Sequence, residues 1–198
     1  MKTFKKLFLL AVCCLSLVTV IAQPKPGIKA GLNYASLSGY DGDRLLSLHA
    51  GVFVNQHLGK NWRIQPELLY SGEGQHYITD EGDQTIALSF VSVPVMFQYF
   101  PTGNFYIEAG PQLAVIISAQ SREAGTHFNL KRSFRNTAFG WNAGAGVGIS
   151  KNIGVYARYH FGLTDLTLYD NDIDRSQVAQ LGVIMSLKSH IKKESKAR

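Results

Sequence analysis

The chain has 198 residues, a formal net charge of +6 and a sequence pI near 9.3, which is length enough for one domain with a substantial core. The basicity belongs to the ends: Lys2, Lys5 and Lys6 open the chain, while Lys188, Lys192, Lys193, Lys196 and Arg198, against Glu194, close it. The stretch between is close to neutral, which excludes the basic stripe on a folded body that nucleic-acid binding needs.

Residues 1–22 read as a signal peptide. "MKTFKK" is a positive n-region, "LFLLAVCCLSLVTVIA" an apolar run, and Val20 and Ala22 stand at the −3 and −1 positions of a cleavage before Gln23. The rival is a retained membrane anchor, since the run is almost long enough to span a bilayer, but "QPKPG" has the make-up of a freshly exposed N-terminus. Both cysteines, Cys13 and Cys14, fall inside this run, so the mature chain has none and needs no disulfide in an oxidising compartment. Acylation at Cys13 is disfavoured by the bulk of Val12 before it and by the apolar sequence that continues past it.

From there the dominant signal is period two. Strand 1 is expected at 27–36, with Ile28, Ala30, Leu32 and Tyr34 on one face; strand 2 at 45–58, with Leu46, Leu48, Ala50, Val52 and Val54 against Ser47, His49, Gly51 and Asn55. Strand 3 starts at Trp62 and runs past Tyr70, and strand 4, at 84–100, sets Val91, Val93, Val95, Phe97 and Tyr99 against Ser92, Met96 and Gln98. Strands 5 to 8 follow at 105–118, 138–150, 153–163 and 177–187. No segment holds a 3.6-residue period.

The connections alternate. "GKN" (59–61), "PTGN" (101–104) and "SKN" (150–152) are tight turns. Between them fall wider polar links at 37–44, around "TDEGD" (79–83), at 118–137 and at 164–175. Eight antiparallel strands with both termini on one side produce this order, with short turns in the periplasm and longer loops outside. The fold expected is therefore all-β: an eight-stranded antiparallel up-and-down transmembrane β-barrel over 23–187, after a cleaved signal peptide (1–22) and before a basic periplasmic tail (188–198).

"AFGWNAGAGVGIS" (138–150) tests that expectation, because glycine-rich stretches also cradle phosphates. A dinucleotide loop needs G-x-G-x-x-G between a strand and a helix. Here the spacing is G-x-G-x-G, and "SKNIGVYARYHFGL" continues as a turn and another alternating strand. Gly140, Asn142, Gly144, Gly146 and Gly148 on one face instead suit a crowded barrel lumen.

The two faces separate a membrane barrel from its soluble alternative, a lipocalin-like periplasmic ligand-binding barrel, which would be apolar inside. The apolar parity carries Trp62, Tyr70, Phe97, Tyr99, Phe105, Phe139, Trp141, Tyr159 and Phe161; of these, Trp62, Tyr70, Tyr99, Trp141 and Phe161 are assigned to aromatic girdles at the lipid–water interface. The other parity collects Lys29, His49, Arg63, Gln65, Glu67, Glu108, Gln112, Asn142, Arg158, His160 and Gln180. Those charges are hard to place in an apolar ligand cavity, so the polar parity is read as the lumen and the protein as resident in the outer membrane.

"GIKAGLNYASL" (27–37), "FVSVPVMFQY" (90–99), "IEAGPQLAVI" (107–116), "GAGVGI" (144–149) and "ARYHFGLTDL" (157–166) resemble the PorT-like group of small outer-membrane β-barrels of Gram-negative bacteria, over nearly the whole mature chain. The resemblance implies an outer-membrane protein with a structural, surface-interaction or secretion-associated role. Ser92 stands where a glutamate is often found before the Val93–Pro94 pair in such barrels, and the chain runs on past strand 8 into "KSHIKKESKAR".

Enzyme chemistry would need a nucleophile and base near the outer rim. None of His49, His57, His76, His127, His160 and His190 shows such a spacing to serine and acid, so no catalytic residue is assigned; His49 and His160 are read as lumen hydrogen-bonders. "DNDID" (170–174) begins like a calcium loop, but Arg175 stands where glycine is required and Leu181 where a bidentate glutamate is. No cofactor or metal is expected. Arg122, Lys131, Arg132 and Arg135 make the loop 118–137 basic and suited to anionic lipid headgroups. The partners expected are outer-membrane lipid, lipopolysaccharide and other envelope proteins.

Two expectations concern the lumen. Pro66, Pro94 and Pro111 fall inside strands, where a closed barrel has no free edge, and β-bulges are the device expected to accommodate them. Arg63, Glu67, Glu108 and Arg158 all point inward, and the last three lie at similar depth from the short turns; an interior salt-bridge cluster with Arg158 as its bidentate centre is expected. With Phe53, Tyr156 and Met96 also inward, the barrel should hold no wide pore.

Overall fold

The computed structural model describes residues 24–38, 43–79, 82–123, 126–129, 136–166 and 175–187. The signal peptide, the "DNDID" stretch and the C-terminal tail lie outside them. Nine strands are present among the described residues: β1 (Lys25–Ser38), β2 (Asp43–His57), β3 (Trp62–Thr79), β4 (Gly82–Tyr99), β5 (Phe105–Glu123), β6 (Thr126–Asn129), β7 (Thr137–Gly148), β8 (Ile153–Gly162) and β9 (Arg175–Ser186). Each pairs antiparallel with its chain neighbour, except that β7 pairs with β5, and β1 pairs with β9. Eight strands thus close into a barrel, and β6 is a short extra strand zipped onto the end of β5.

Apolar residues face outward and charged ones inward. Leu46 and Leu48 are 65% and 66% exposed, whereas Asn33 and Asn142 are wholly buried. A soluble barrel could not leave so continuous an aliphatic and aromatic belt in water, so the lipocalin-like alternative is excluded. Trp62 and Tyr99 stack beside the short turns, with ring centroids 4.9 Å apart. Tyr70 and Phe161 lie eight residues farther up, counted from Trp62 and Ile153, with Trp141 paired to Phe161. Eight residues at about 3.3 Å each, on a strand tilted about 40°, separate the two aromatic levels by about 20 Å, near the height of a lipid-facing apolar band.

Two of the links read as wide polar loops are largely strand. β3 and β4 stay paired as far as Thr79 and Gly82, leaving only 80–81 between them, and β5 continues to Glu123 before turning back as β6. Polar residues on both faces erase the alternation that marks a membrane strand, but the backbone ladder needs no apolar face and carries on. Arg122 therefore lies in β5, opposite Thr85 and His127, while Lys131, Arg132 and Arg135 lie outside the described residues. β3, β4 and β5 run to 18, 18 and 19 residues against 10 in β8, and about ten suffice to cross a bilayer. One side of the barrel thus stands some 25 Å of strand above the other at its long-loop end.

The prolines correct another expectation. Pairing resumes in the same register on both sides of each: Phe53↔Glu67 and Gln56↔Ile64 flank Pro66 in the β2–β3 ladder, Pro66↔Val95 and Leu69↔Ser92 flank Pro94 in β3–β4, and Pro94↔Gln112 and Phe97↔Ala109 flank Pro111 in β4–β5. No bulge is used. An antiparallel residue sends its N–H to one neighbour only, so each proline interrupts one ladder and leaves the other intact. The two register shifts fall elsewhere, between Arg44 and His49 and at Ile116–Ser118 opposite Ser89–Phe90. At the second, Ile116 is buried and Ile117 is 44% exposed, so adjacent isoleucines serve lumen and exterior. All three interrupted ladders lie side by side, whereas β1–β2, β1–β9, β5–β7, β7–β8 and β8–β9 pair without a break. Amides flanking the prolines should exchange with deuterium about fivefold faster than those of β8, the effect of losing a hydrogen bond worth about 1 kcal/mol. Equal protection on both walls, measured by NMR in nanodiscs, would refute this.

Candidate functional site

The lumen is crossed by a chain of charged and amide side chains, and glycines make it reachable. Glu108 on β5, Gly144 on β7 and Arg158 on β8 lie in one register row. Because Gly144 has no side chain, Arg158 passes over β7: its Nε donates to Glu108 Oε1 at 2.9 Å, and Nη2 lies 2.7 Å from the same oxygen. Its Nη1 and Nη2 also donate to Glu67 Oε2 and Oε1 at 2.9 and 2.8 Å, a parallel fork. Arg158 thus joins two carboxylates from β3 and β5, all three residues being buried.

Of the four charges read as one cluster, Glu67, Glu108 and Arg158 come together and Arg63 does not. Arg63 lies on β3 with Glu67, four residues nearer the short turn, and four residues of strand span about 13 Å. Its guanidinium sits 3.7 Å above the Phe100 ring instead. The second cation is Lys29 of β1, whose Nζ donates to Glu67 Oε2 at 3.0 Å and Oε1 at 3.2 Å and lies 4.0 Å from the Tyr156 ring centre. Parity alone offered it, since Lys29 already stood on the lumen face; charge balance does not separate it from Arg63, because either cation with Arg158 matches the two carboxylates.

Amides complete the carboxylates' shells. Gln65 Nε2 donates to Glu67 at 2.9 Å and Gln98 Nε2 to Glu108 at 3.0 Å. Those two amides present their oxygens to Asn55 Nδ2, at 2.9 and 2.8 Å. On the far side, Tyr156, Gly182, Gly31 and His49 form a second row through two glycines, and the Tyr156 hydroxyl is hydrogen-bonded to His49 Nε2. His49 Nδ1 donates to Asn33 Oδ1 at 2.6 Å, since an amide oxygen can only accept; Gln180 Nε2 donates to the same oxygen at 3.1 Å. His160 Nδ1 donates to Asn142 Oδ1 at 3.1 Å, and Asn142 Nδ2 to Gln112 at 3.1 Å.

Toward the long-loop end the lumen changes character. Glu73 accepts from Ser71 at 3.1 Å and from Ser176. Beside it Leu88, Phe90, Ala114, Ile116, Ala119 and Leu166 form an apolar plug, with Leu166 contributed by the segment after β8. Ser92 is buried below this plug with its hydroxyl unpartnered. The lumen is therefore polar only in part, and at no level among the described residues does it hold a wide channel. Among these residues no group of histidine, cysteine and acid side chains has the arrangement of a metal site.

The model of the outer membrane protein beta-barrel domain family matches residues 23–168. No curated protein matches. Among solved structures, the neisserial surface protein A (NspA) superposes with a TM-score of 0.56 at 12% identity, covering 83% of this chain and 97% of its own. Ail, the attachment invasion locus protein of Yersinia pestis, does so with 0.49 at 13% identity, covering 83% and 97%. OprG of Pseudomonas aeruginosa gives 0.49 at 10% identity, covering 84% and 95%.

Proposed function

Because the chain belongs to the family of outer membrane protein beta-barrel domains, we propose that it is a closed-lumen barrel whose work is done at its outer face, as a structural and surface-interaction element of the envelope. The observation that carries this is the closure of the lumen by Arg158, Glu67, Glu108 and Lys29, with the apolar plug above them. Passage of solute would require breaking a buried, charge-neutral cluster, and that is costly. The raised sheet of β3, β4 and β5 supplies a platform beyond the membrane for contact with lipopolysaccharide or another envelope protein. Trp62, Tyr99, Tyr70, Trp141 and Phe161 anchor the barrel at the two interfaces.

The resemblance of the sequence to the PorT-like group supports a narrower reading, in which the platform serves a secretion-associated assembly. Export by removal of 1–22, with the short turns and both termini in the periplasm, belongs to the same proposal. Purified protein in planar bilayers should give no sustained large-conductance openings, and stable porin-like currents would refute the closed lumen. Membrane fractionation should recover the mature chain, starting at Gln23, only with detergent; a detergent-free periplasmic pool would refute the location.

A further inference from the structure

We propose that the short-turn mouth of the barrel binds a phosphate group carried by a small hydroxylated molecule of the glycerol phosphate type. A cavity of about 650 Å³ opens there below the charge cluster, a size usual for small-ligand sites. Its charged lining is of one sign: Lys25, Arg63 and Lys151, with no acidic side chain.

Arg63 is the anchor. Of the lumen-parity cations among the described residues, Lys29 and Arg158 are matched by Glu67 and Glu108, and no described carboxylate pairs with Arg63. Its stacking on Phe100 holds the guanidinium plane, while the N–H donors lie in that plane and are not consumed by the ring. Half-buried, planar and without an anion, it is set for bidentate binding of an oxyanion. Lys25 and Lys151 line the same mouth, and the tetrahedral oxygens of a phosphate group can meet more than one cation where a planar carboxylate does so less well.

The floor of the cavity specifies the rest of the ligand. Gln65 and Gln98 commit their NH₂ groups to Glu67 and Glu108, so their oxygens face Asn55, whose NH₂ serves both. The demand of the buried carboxylates for donors therefore fixes all three amides beneath the cavity, and Asn55 Oδ1 is left buried without a partner. A buried acceptor without a donor is costly. The neutral polar side chains that also line the cavity, among them Asn104, Ser150, Asn152 and Ser186, suit hydroxyls on the phosphate-bearing molecule.

The same glycerol phosphate chemistry reaches this mouth as a free solute or as the headgroup of phosphatidylglycerol, and the test separates them. The full chain in phosphatidylcholine nanodiscs is titrated with glycerol 3-phosphate by calorimetry and NMR, beside nanodiscs containing phosphatidylglycerol. Saturable binding of glycerol 3-phosphate, weakened about tenfold or more by Arg63→Gln and less by Lys151→Gln, supports the free solute. Arg63-dependent shifts of cavity resonances with phosphatidylglycerol alone support the lipid. Lys60→Gln, on the adjacent turn but outside the cavity, should change nothing. Two results overturn the proposal: no Arg63-dependent response to either probe, or an equal loss in Lys60→Gln, which would mark nonspecific attraction to a basic face. Lys151 is at the exposed rim, so its variant keeps the test valid if Arg63→Gln does not fold.

Discussion

Arg158→Met should lower the stability of the barrel by about 3–5 kcal/mol, the usual effect of orphaning a buried partner, read as loss of heat-resistant compact migration on gels. The structure says which partner is orphaned. Glu67 keeps Lys29 and Gln65, whereas Glu108 is left with Gln98 alone. Adding Glu108→Gln should therefore recover part of the loss, since it removes the uncompensated charge. Adding Glu67→Gln should recover less, because it strands Lys29 while Glu108 stays unpaired. Lys29→Met should cost less than Arg158→Met, as Arg158 still forks onto Glu67. Equal recovery by the two glutamine variants, or strict additivity, would show that the four groups do not act as one cluster.

Gly144→Ala should destabilise the barrel by about 1–3 kcal/mol or more, the range for overfilling a packed interior, while Gly148→Ala should melt like wild type. A Cβ on Gly144 would stand 2.5 Å from the Ala157 carbonyl oxygen and 3.0 Å from Arg158 Cα. Both are backbone atoms and cannot swing aside. On Gly148 the nearest atom would be 3.7 Å away. Gly146 is a further case: a Cβ there would meet the Tyr106 ring, with Cε1 at 2.6 Å. If both alanine variants melt alike in nanodiscs, the glycines of β7 are not spaces reserved for Arg158 and Tyr106.

The eight barrel strands, the parity of their membrane-spanning parts, the short turns and the inverted distribution of apolar side chains were all determined by the sequence itself. They rest on local rules: a strand repeats every two residues, and lipid requires one continuous apolar face. Hence Leu46, Val52 and Trp141 could be placed outside, and Glu67, Glu108 and Arg158 inside, from position alone.

Only the tertiary structure decided which inward residues meet. Arg63 and Lys29 share the lumen parity, but the stagger between neighbouring strands sets depth, and it brought Lys29 rather than Arg63 to Glu67. The gaps left by Gly144, Gly31 and Gly182 decide how far a long side chain can reach, and these become visible only when strands distant in sequence lie in one row. The outer ends of β3, β4 and β5 and the unbulged prolines are of the same kind. There the backbone ladder, which is nearly blind to side chains, governs the outcome, so a pattern of side chains could not announce it.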